Sequence, residues 1–358
     1  MLYTRCVFIK YTQFLTFKLF MKIGVLLVNL GTPDSANTSD VRKYLRQFLM
    51  DARVIDVPFL VRWILVQLII APFRAPKSAK IYKEVWTEKG SPLLFHGVEL
   101  EKLLQDTLGD KYVVKLAMRY QSPSIENVLN ELKAKHLEKI IVLPLFPQYA
   151  SASTGSVFEE VMRLLSTWQV IPQINMIDSY PTNAGMIKTY AEIGQKYIKD
   201  GNFDHFIFSY HGIPERHIRK GDCTGQCLSE TCCNKLEDWN RLCYKGQCYA
   251  TSRLLAAELG LSDTQYNVSF QSRLGNDPWI KPYTDKVIVE LVKEKNKRRI
   301  LAFSPSFVAD CLETNIEIGE EYREIFEEAG GEHWQLVESL NTHPLWVETL
   351  KEMVHKNS

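Results

Sequence analysis

The sequence lacks both common nucleotide-binding signatures. No G-x-G-x-x-G follows a strand-like run, and no G-x-x-x-x-G-K-[ST] occurs. Without such glycines a backbone does not wrap closely around phosphates at a helix N-terminus, which argues against an NAD-linked oxidoreductase and against an ATP-driven enzyme. An excess of charge is missing too: 43 Lys and Arg stand against 42 Asp and Glu, a formal net charge of +1. The one basic run, Lys293–Arg299, reads as a solvated helix end, so the basic face that nucleic acid requires is absent and no nucleic-acid partner is expected. Low-complexity segments and short-period repeats are also absent. Met1–Phe20 is aromatic and weakly basic, with Lys10 and Lys18 interrupting its apolar residues and no small-residue cleavage site. It fits neither a secretory signal nor a membrane span. A clean strand-like run, Lys22–Leu30, follows Met21, so residues 1–20 read as an extension ahead of the natural start. The expected location is cytoplasmic, with association to a membrane as the alternative.

What is present is a long chain with an ordinary apolar share, 358 residues of which 46% are hydrophobic and 24% charged. That is enough for two domains or one large one. Apolar β-rich runs at Ile23–Leu30, Tyr112–Met118, Lys139–Leu145, Ile174–Ile177, His205–Ser209, Tyr266–Phe270 and Arg299–Phe303 alternate with amphipathic helical stretches such as Val98–Leu108, Ser124–Ala134, Gly155–Ser166 and Asn183–Ile198. Strands separated by helices of this length imply βαβ units, an α/β fold with Rossmann-like parallel sheets flanked by helices. Val25–Pro33 (VLLVNLGTP) and Phe206–Pro214 (FIFSYHGIP) echo each other as strands that break into a Gly-x-Pro turn. The echo suggests two similar halves.

Candidate chemistry collects at strand ends, where open α/β sheets bind ligands. His211 ends the apolar run Phe206–Tyr210 and is placed for proton transfer, although a lone loop-edge histidine more often bonds the backbone. Ser153-Thr154-Gly155-Ser156 opens a helix, as an anion cradle or, more simply, as an N-cap. After Arg299–Phe303 comes a polar turn and then Glu313, Glu317, Glu320 and Glu324. Their spacing puts them on one face of an α-helix, either a solvated face or a route that a hard divalent cation would follow. Pro58–Pro76 is the most apolar window. It is too short and too interrupted by Arg62 and Gln67 to span a bilayer, and reads as a buried helix, the wall of a greasy pocket, or a helix lying on a membrane with Trp63 and arginines at the interface.

Six of the eight cysteines fall between Cys223 and Cys248. Without a secretory signal a disulfide knot is disfavoured. Zinc usually takes C-x2-C pairs, which are absent, whereas an iron–sulfur cluster needs four thiolates and tolerates irregular spacing. The spacing favours the cluster over zinc or idle thiols.

The motifs LVNLGTPD (Leu27–Asp34), WTEKGSPL (Trp86–Leu93), MRYQSPSI (Met118–Ile125), LPLFPQYASASTGS (Leu143–Ser156), SYHGIPERHIRKGD (Ser209–Asp222), FQSRLGNDPWIKPYTD (Phe270–Asp285) and FVADCLETNIEIGEEYREIFEEAGG (Phe307–Gly331) occur in this order. Together the chain resembles a ferrochelatase from Met21 onward. The resemblance implies two similar domains with four-stranded parallel sheets and a porphyrin cleft between them. It implies an N-terminal domain over 21–165, a C-terminal domain over 166–334 with a Cys-rich insertion at 223–247, and a final segment, 335–358, returning to the first domain. By resemblance His211 is the essential histidine and Glu313 the facing acid, both toward the Fe(II) substrate. Asn29, Met50, Arg119 and Tyr120 line the porphyrin pocket, and 58–76 forms its lip, where family members often touch membrane. Some bacterial relatives hold a [2Fe–2S] cluster in such an insertion, which here points to Cys227, Cys232, Cys233 and Cys243, with Cys223 as a substitute. The implied activity is insertion of Fe(II) into protoporphyrin IX, with no nucleotide. Chelation of another tetrapyrrole (coproporphyrin with iron, or cobalt) and a non-catalytic haem or Fe–S sensor are the alternatives.

Overall fold

The computed structural model describes residues 22–273, 275 and 277–358, so the expected extension 1–20 lies outside the described residues. Its organising strands are the two whose sequences echo each other. β1 (Ile23–Gly31) and β5 (His205–His211) are buried along nearly their whole length, as befits apolar runs covered on both faces of a parallel sheet. β1 lies between β2 (Tyr112–Tyr120) and β3 (Lys139–Pro144), with β4 (Gln173–Met176) outside β3, all parallel. β5 lies between β6 (Tyr266–Gln271) and β7 (Arg299–Phe303), with β8 (His333–Leu336) outside β7, again all parallel. The two sheets repeat one strand order, and the echo in the sequence is the repetition of their central strands.

Two expectations change. Gln173–Met176 pairs with β3, so the first domain runs past the boundary expected after residue 165. β8 was not foreseen; only Trp334 of its four residues is buried, which leaves no apolar run to see. It also carries the second sheet past residue 334.

The helices are α1 (Thr38–Leu49), α2 (Phe59–Val85), α3 (Pro92–Leu108), α4 (Ile125–Lys133), α5 (Ser156–Leu165), α6 (Ala184–Gly201), α7 (Glu215–Gly221), α8 (Tyr244–Glu258), α9 (Thr284–Lys293), α10 (Tyr322–Ala329) and α11 (Pro344–Lys356). Their starts follow local chemistry: Ser124 and Asn183 accept from Asn127 and Met186 backbone N–H groups at 3.2 and 3.0 Å, filling orphan donors of α4 and α6. α11 packs against α3 and α6. Just beyond it, Ser358 Oγ meets Tyr112 Oη at 3.0 Å and Asn357 O accepts from Lys139 Nζ at 3.3 Å. The chain's end is thus tied to the first strands' beginnings.

α2 is the outlier. It runs on to Val85, beyond the window expected at 58–76. Against the expectation of a segment too short to span a bilayer, it is long and apolar enough to cross a membrane by length and composition, yet little of it is buried. Phe59, Leu60, Val61, Leu68, Ile69 and Phe73 are exposed, which rules out the reading of a plain core helix. Arg62, expected at an interface, turns inward, and its Nη1 donates to the Ile55 and Val57 carbonyls at 3.0 and 3.1 Å.

Candidate functional site

Parallel strands deliver their C-terminal ends to one edge, and the expected site residues are found at these edges of both sheets. His211 is the last residue of β5. Its Nδ1 lies 2.7 Å from the Gly212 carbonyl. A carbonyl oxygen only accepts, so Nδ1 carries a proton, and in the neutral ring the lone pair is on Nε2. The backbone is pinned from two sides: Tyr244 Oη donates to the His211 carbonyl at 2.7 Å, and the His211 N–H donates to Ser306 Oγ at 3.4 Å. Phe307 meets the imidazole edge-on, centroids 6.4 Å apart. Ser306 and Phe307 belong to the loop leaving β7, the same loop that leads to Glu313.

Glu313 opens a π-helical segment, Glu313–Glu321, that continues into α10. The wider π turn alters the face expected from α-helical spacing. Glu313 and Glu317 are half-buried, while Glu320 and Glu324 are exposed. Glu317 accepts from Gln271 Nε2 at 3.0 Å, from Tyr322 Oη at 3.2 Å and from Ser272 Oγ. Glu313 faces the first domain. Burial, and then the Glu313 charge, push the Tyr44 phenol well above its ordinary range; burial, then Tyr44 and then Glu313 do the same to Tyr82. Burial and then Glu313 do the same to the Cys311 thiol. Tyr44 also feels Tyr120, so one aromatic residue links the acid of the second domain to the end of β2. Around it, Tyr44 stacks on Phe48 at 5.9 Å, Phe48 meets Tyr120 edge-on at 5.2 Å and Tyr82 meets Tyr44 edge-on at 6.3 Å.

On the first-domain side, Arg119 and Tyr120 end β2 beside Gly31. Neither is free. Tyr120 Oη donates to Asp51 Oδ2 at 2.9 Å, Arg119 Nη2 to the same oxygen at 2.9 Å, and Arg119 Nε to Ser156 Oγ at 2.7 Å. Burial and then the Asp51 charge raise the Tyr120 phenol well above its ordinary range. Ser156, the end of the expected anion cradle, opens α5 after a π turn, Ser151–Gly155, and its Oγ donates to Asp51 Oδ2 at 2.5 Å. The anion met there is the chain's own carboxylate. Asn29 is buried in β1 with Oδ1 accepting from the Leu30 N–H at 2.8 Å. Met50 caps α1 and packs in the cluster that holds Tyr120. Asp51, Tyr44 and Tyr82 were missed from the sequence; nothing in their spacing marks them, because they meet their partners only through the fold.

The cysteines of the insertion do converge. Asp222 starts the loop by accepting from the N–H groups of Thr224, Gly225 and Cys227 at 2.8, 3.0 and 2.8 Å. These bonds pull its carboxyl down to about 2. Cys232 Sγ and Cys233 Sγ are 3.5 Å apart. Cys233 and Cys227 both hydrogen-bond Cys243, the residue that caps α8. The Cys233 bond, working against burial, pulls the Cys243 thiol down to about 6, while burial and the Cys243 charge push Cys227 up to about 12. The four sulfurs form a chain, 232–233–243–227, rather than a ready cage: among the described residues no three His, Cys, Asp or Glu side chains are grouped as a metal-ion site. In donor type the set suits thiolate ligation, but only Cys232 and Cys233 are in direct sulfur contact. Cys223 is exposed, and Cys248 is fully buried in the core.

The chain is similar to known proteins over nearly its whole length. Residues 22–358 match the Ferrochelatase family model. A ferrochelatase of Legionella pneumophila (strain Lens) is 49% identical over 336 residues, covering 94% of this chain and 99% of that protein. One of Coxiella burnetii (strain CbuK_Q154) is 45% identical over 350 residues, 98% of each chain. Among solved structures, SirB from Bacillus subtilis with Fe3+ superposes with a TM-score of 0.51 at 14% identity, covering 94% of this chain and 95% of that one. This likeness speaks for the fold alone.

Proposed function

The chain belongs to the ferrochelatase family, and on that footing we propose that it completes haem by inserting Fe(II) into protoporphyrin IX, with His211 as the proton acceptor. The free ring is planar and carries two inward N–H groups where the metal must go. Insertion needs a ring bent so that nitrogen lone pairs point outward, loss of two protons, and a dehydrated Fe(II). Binding the bent ring better than the flat one lowers the barrier. Of the aromatic cluster Tyr44, Phe48 and Tyr120, only Phe48 reaches the surface; the other two form a packed backing that stiffens such a seat. The observation that carries the reading is the imidazole: with Nδ1–H spent on Gly212, Nε2 is held as a base. Glu313 and the half-buried Glu317 behind it offer carboxylates for metal entry or proton exit. His211→Ala is expected to abolish iron insertion, read by haem absorbance, while porphyrin still binds by fluorescence quenching. Near-normal turnover by this variant would refute the role.

We further propose that Cys227, Cys232, Cys233 and Cys243 hold a [2Fe–2S] cluster. The sulfur contact of Cys232 with Cys233 and the lowered Cys243 thiol beside them support it. Such a cluster would supply one-electron chemistry or a cross-link for the insertion. Anaerobically purified protein should absorb in the visible and contain iron and sulfide at about two of each per chain; colourless protein carrying zinc would reject the assignment. The exposed apolar residues of α2 support a peripheral contact with membrane lipid.

A further inference from the structure

The buried carboxylate of Asp51 has no part in the reaction described so far, yet it gathers more of the first-domain wall than any expected site residue. Its Oδ2 accepts from Arg119 Nη2, Tyr120 Oη and Ser156 Oγ at 2.9, 2.9 and 2.5 Å. Its Oδ1 accepts from the Arg53 N–H at 2.7 Å, and its carbonyl from the Val54 and Ile55 N–H groups. The donors come from the ends of β2, the start of α5 and the turn after α1, so one side chain fixes three elements against one another. Only 7% of the Asp51 side chain and 15% of the Arg119 side chain are exposed. Arg119 is correspondingly committed: Nη2 to Asp51, Nε to both Ser156 Oγ and the Ser156 carbonyl, and the guanidinium carbon 4.8 Å from the Tyr120 ring centroid. A cation paired inside the protein is a poor clamp for a second carboxylate, because recruiting it would leave Asp51 buried and unpaired.

We propose that Asp51 is a positioning residue: it aims Arg119 along the porphyrin-facing wall, with Tyr120, expected to line the pocket but fully buried, packed behind it, and neutralises Arg119 internally, so that Arg119 shapes the ring's seat instead of binding a porphyrin propionate. This rests on the reading that Arg119 lines the pocket.

The test compares Asp51→Asn, Arg119→Gln and the double variant, using protoporphyrin and its dimethyl ester in detergent. Turnover is followed by haem absorbance and ring binding by fluorescence quenching. Each single variant should lower kcat about tenfold or more, as expected when a seat shifts by a fraction of an ångström. The loss should be the same for the acid and the ester, with ring Kd changed less than about threefold. The double variant should be no worse than either single one, because residues acting as one unit are not additive. The proposal is overturned if Arg119→Gln weakens binding of the diacid and not of the diester, or if the double variant loses the product of the two single losses. Should Asp51→Asn not fold, judged by circular dichroism, the Arg119→Gln ester comparison decides alone, and Tyr120→Phe, which removes one donor and keeps the ion pair, should lower kcat for both rings alike. Wild-type protein that inserts no iron would instead defeat the underlying reading.

Discussion

At the scale of single residues, the pocket wall depends on a position where a side chain cannot stand. Gly31 ends β1 at φ +116°, and a Cβ there would collide with the Tyr120 carbonyl oxygen. Gly31→Ala therefore combines a left-handed backbone with a clash against the strand end that carries Tyr120. It is expected to cost on the order of 1–3 kcal/mol, read as a lowered Tm, and to lower turnover as well, since the clash displaces the hydroxyl that Asp51 holds. A variant with unchanged Tm would show that the turn can relax. His211 and Gly31 were legible in the sequence because each sits where an apolar run breaks into a glycine turn. Asp51 was not legible. Its partners lie 68, 69 and 105 residues away in the chain, and a lone aspartate after a helix has no pattern of its own.

At the scale of elements, periodicity located the strands well, because buried parallel strands are continuous apolar runs. It failed where an element departs from ordinary geometry or composition. The segment after Cys311 reads as an α-helix with four glutamates in a row, but it is π-helical over Glu313–Glu321, and hydrophobic spacing does not distinguish the two turns. α2 also has a π segment, Leu65–Ile70, and of the three readings the sequence left open, burial removes the plain core helix. Its exposed face carries Phe59, Leu60, Val61, Leu68, Ile69 and Phe73, the last 74% exposed, more contiguous apolar surface than a soluble protein usually leaves uncovered. The protein is expected to float with phospholipid vesicles in a density gradient, and Leu68→Glu/Phe73→Glu to remain in the soluble fraction. Removing that much apolar contact and adding two charges at a lipid surface should weaken partitioning at least tenfold, roughly, while solution turnover with detergent-dispersed porphyrin persists. Wild-type protein that fails to float would remove the membrane from the account of this face.

At the scale of the whole molecule, the two sheets must hold a fixed relation for residues from both to meet one ring, and a compact charge cluster joins them. Asp56, in the turn after α1, receives Arg216 Nε at 2.7 Å and Lys220 Nζ at 2.6 Å from α7, with His217 Nε2 at 3.4 Å. Arg216 also bridges to Asp277. α7 begins four residues after His211, so the clamp sits beside the strand end that carries this histidine. Burial pushes the Asp56 carboxyl upward, but the Lys220 and Arg216 hydrogen bonds and the His217 charge override it and hold the group well below the usual carboxylate range. The sign follows from that depression. The folded group titrates below its unfolded value of about 4, so its contribution is complete above that pH and is lost as pH falls through the folded value. Asp56→Asn removes the charge at every pH and leaves Arg216 and Lys220 facing an amide. The Tm difference between wild type and variant should therefore be present above about pH 5 and shrink as pH falls below about 4. Porphyrin dissociation, followed by fluorescence, should be faster in the variant at neutral pH because the domains part more easily. A Tm gap that persists unchanged to pH 2 would mean that the clamp acts through packing, and an unaltered dissociation rate would uncouple it from the cleft.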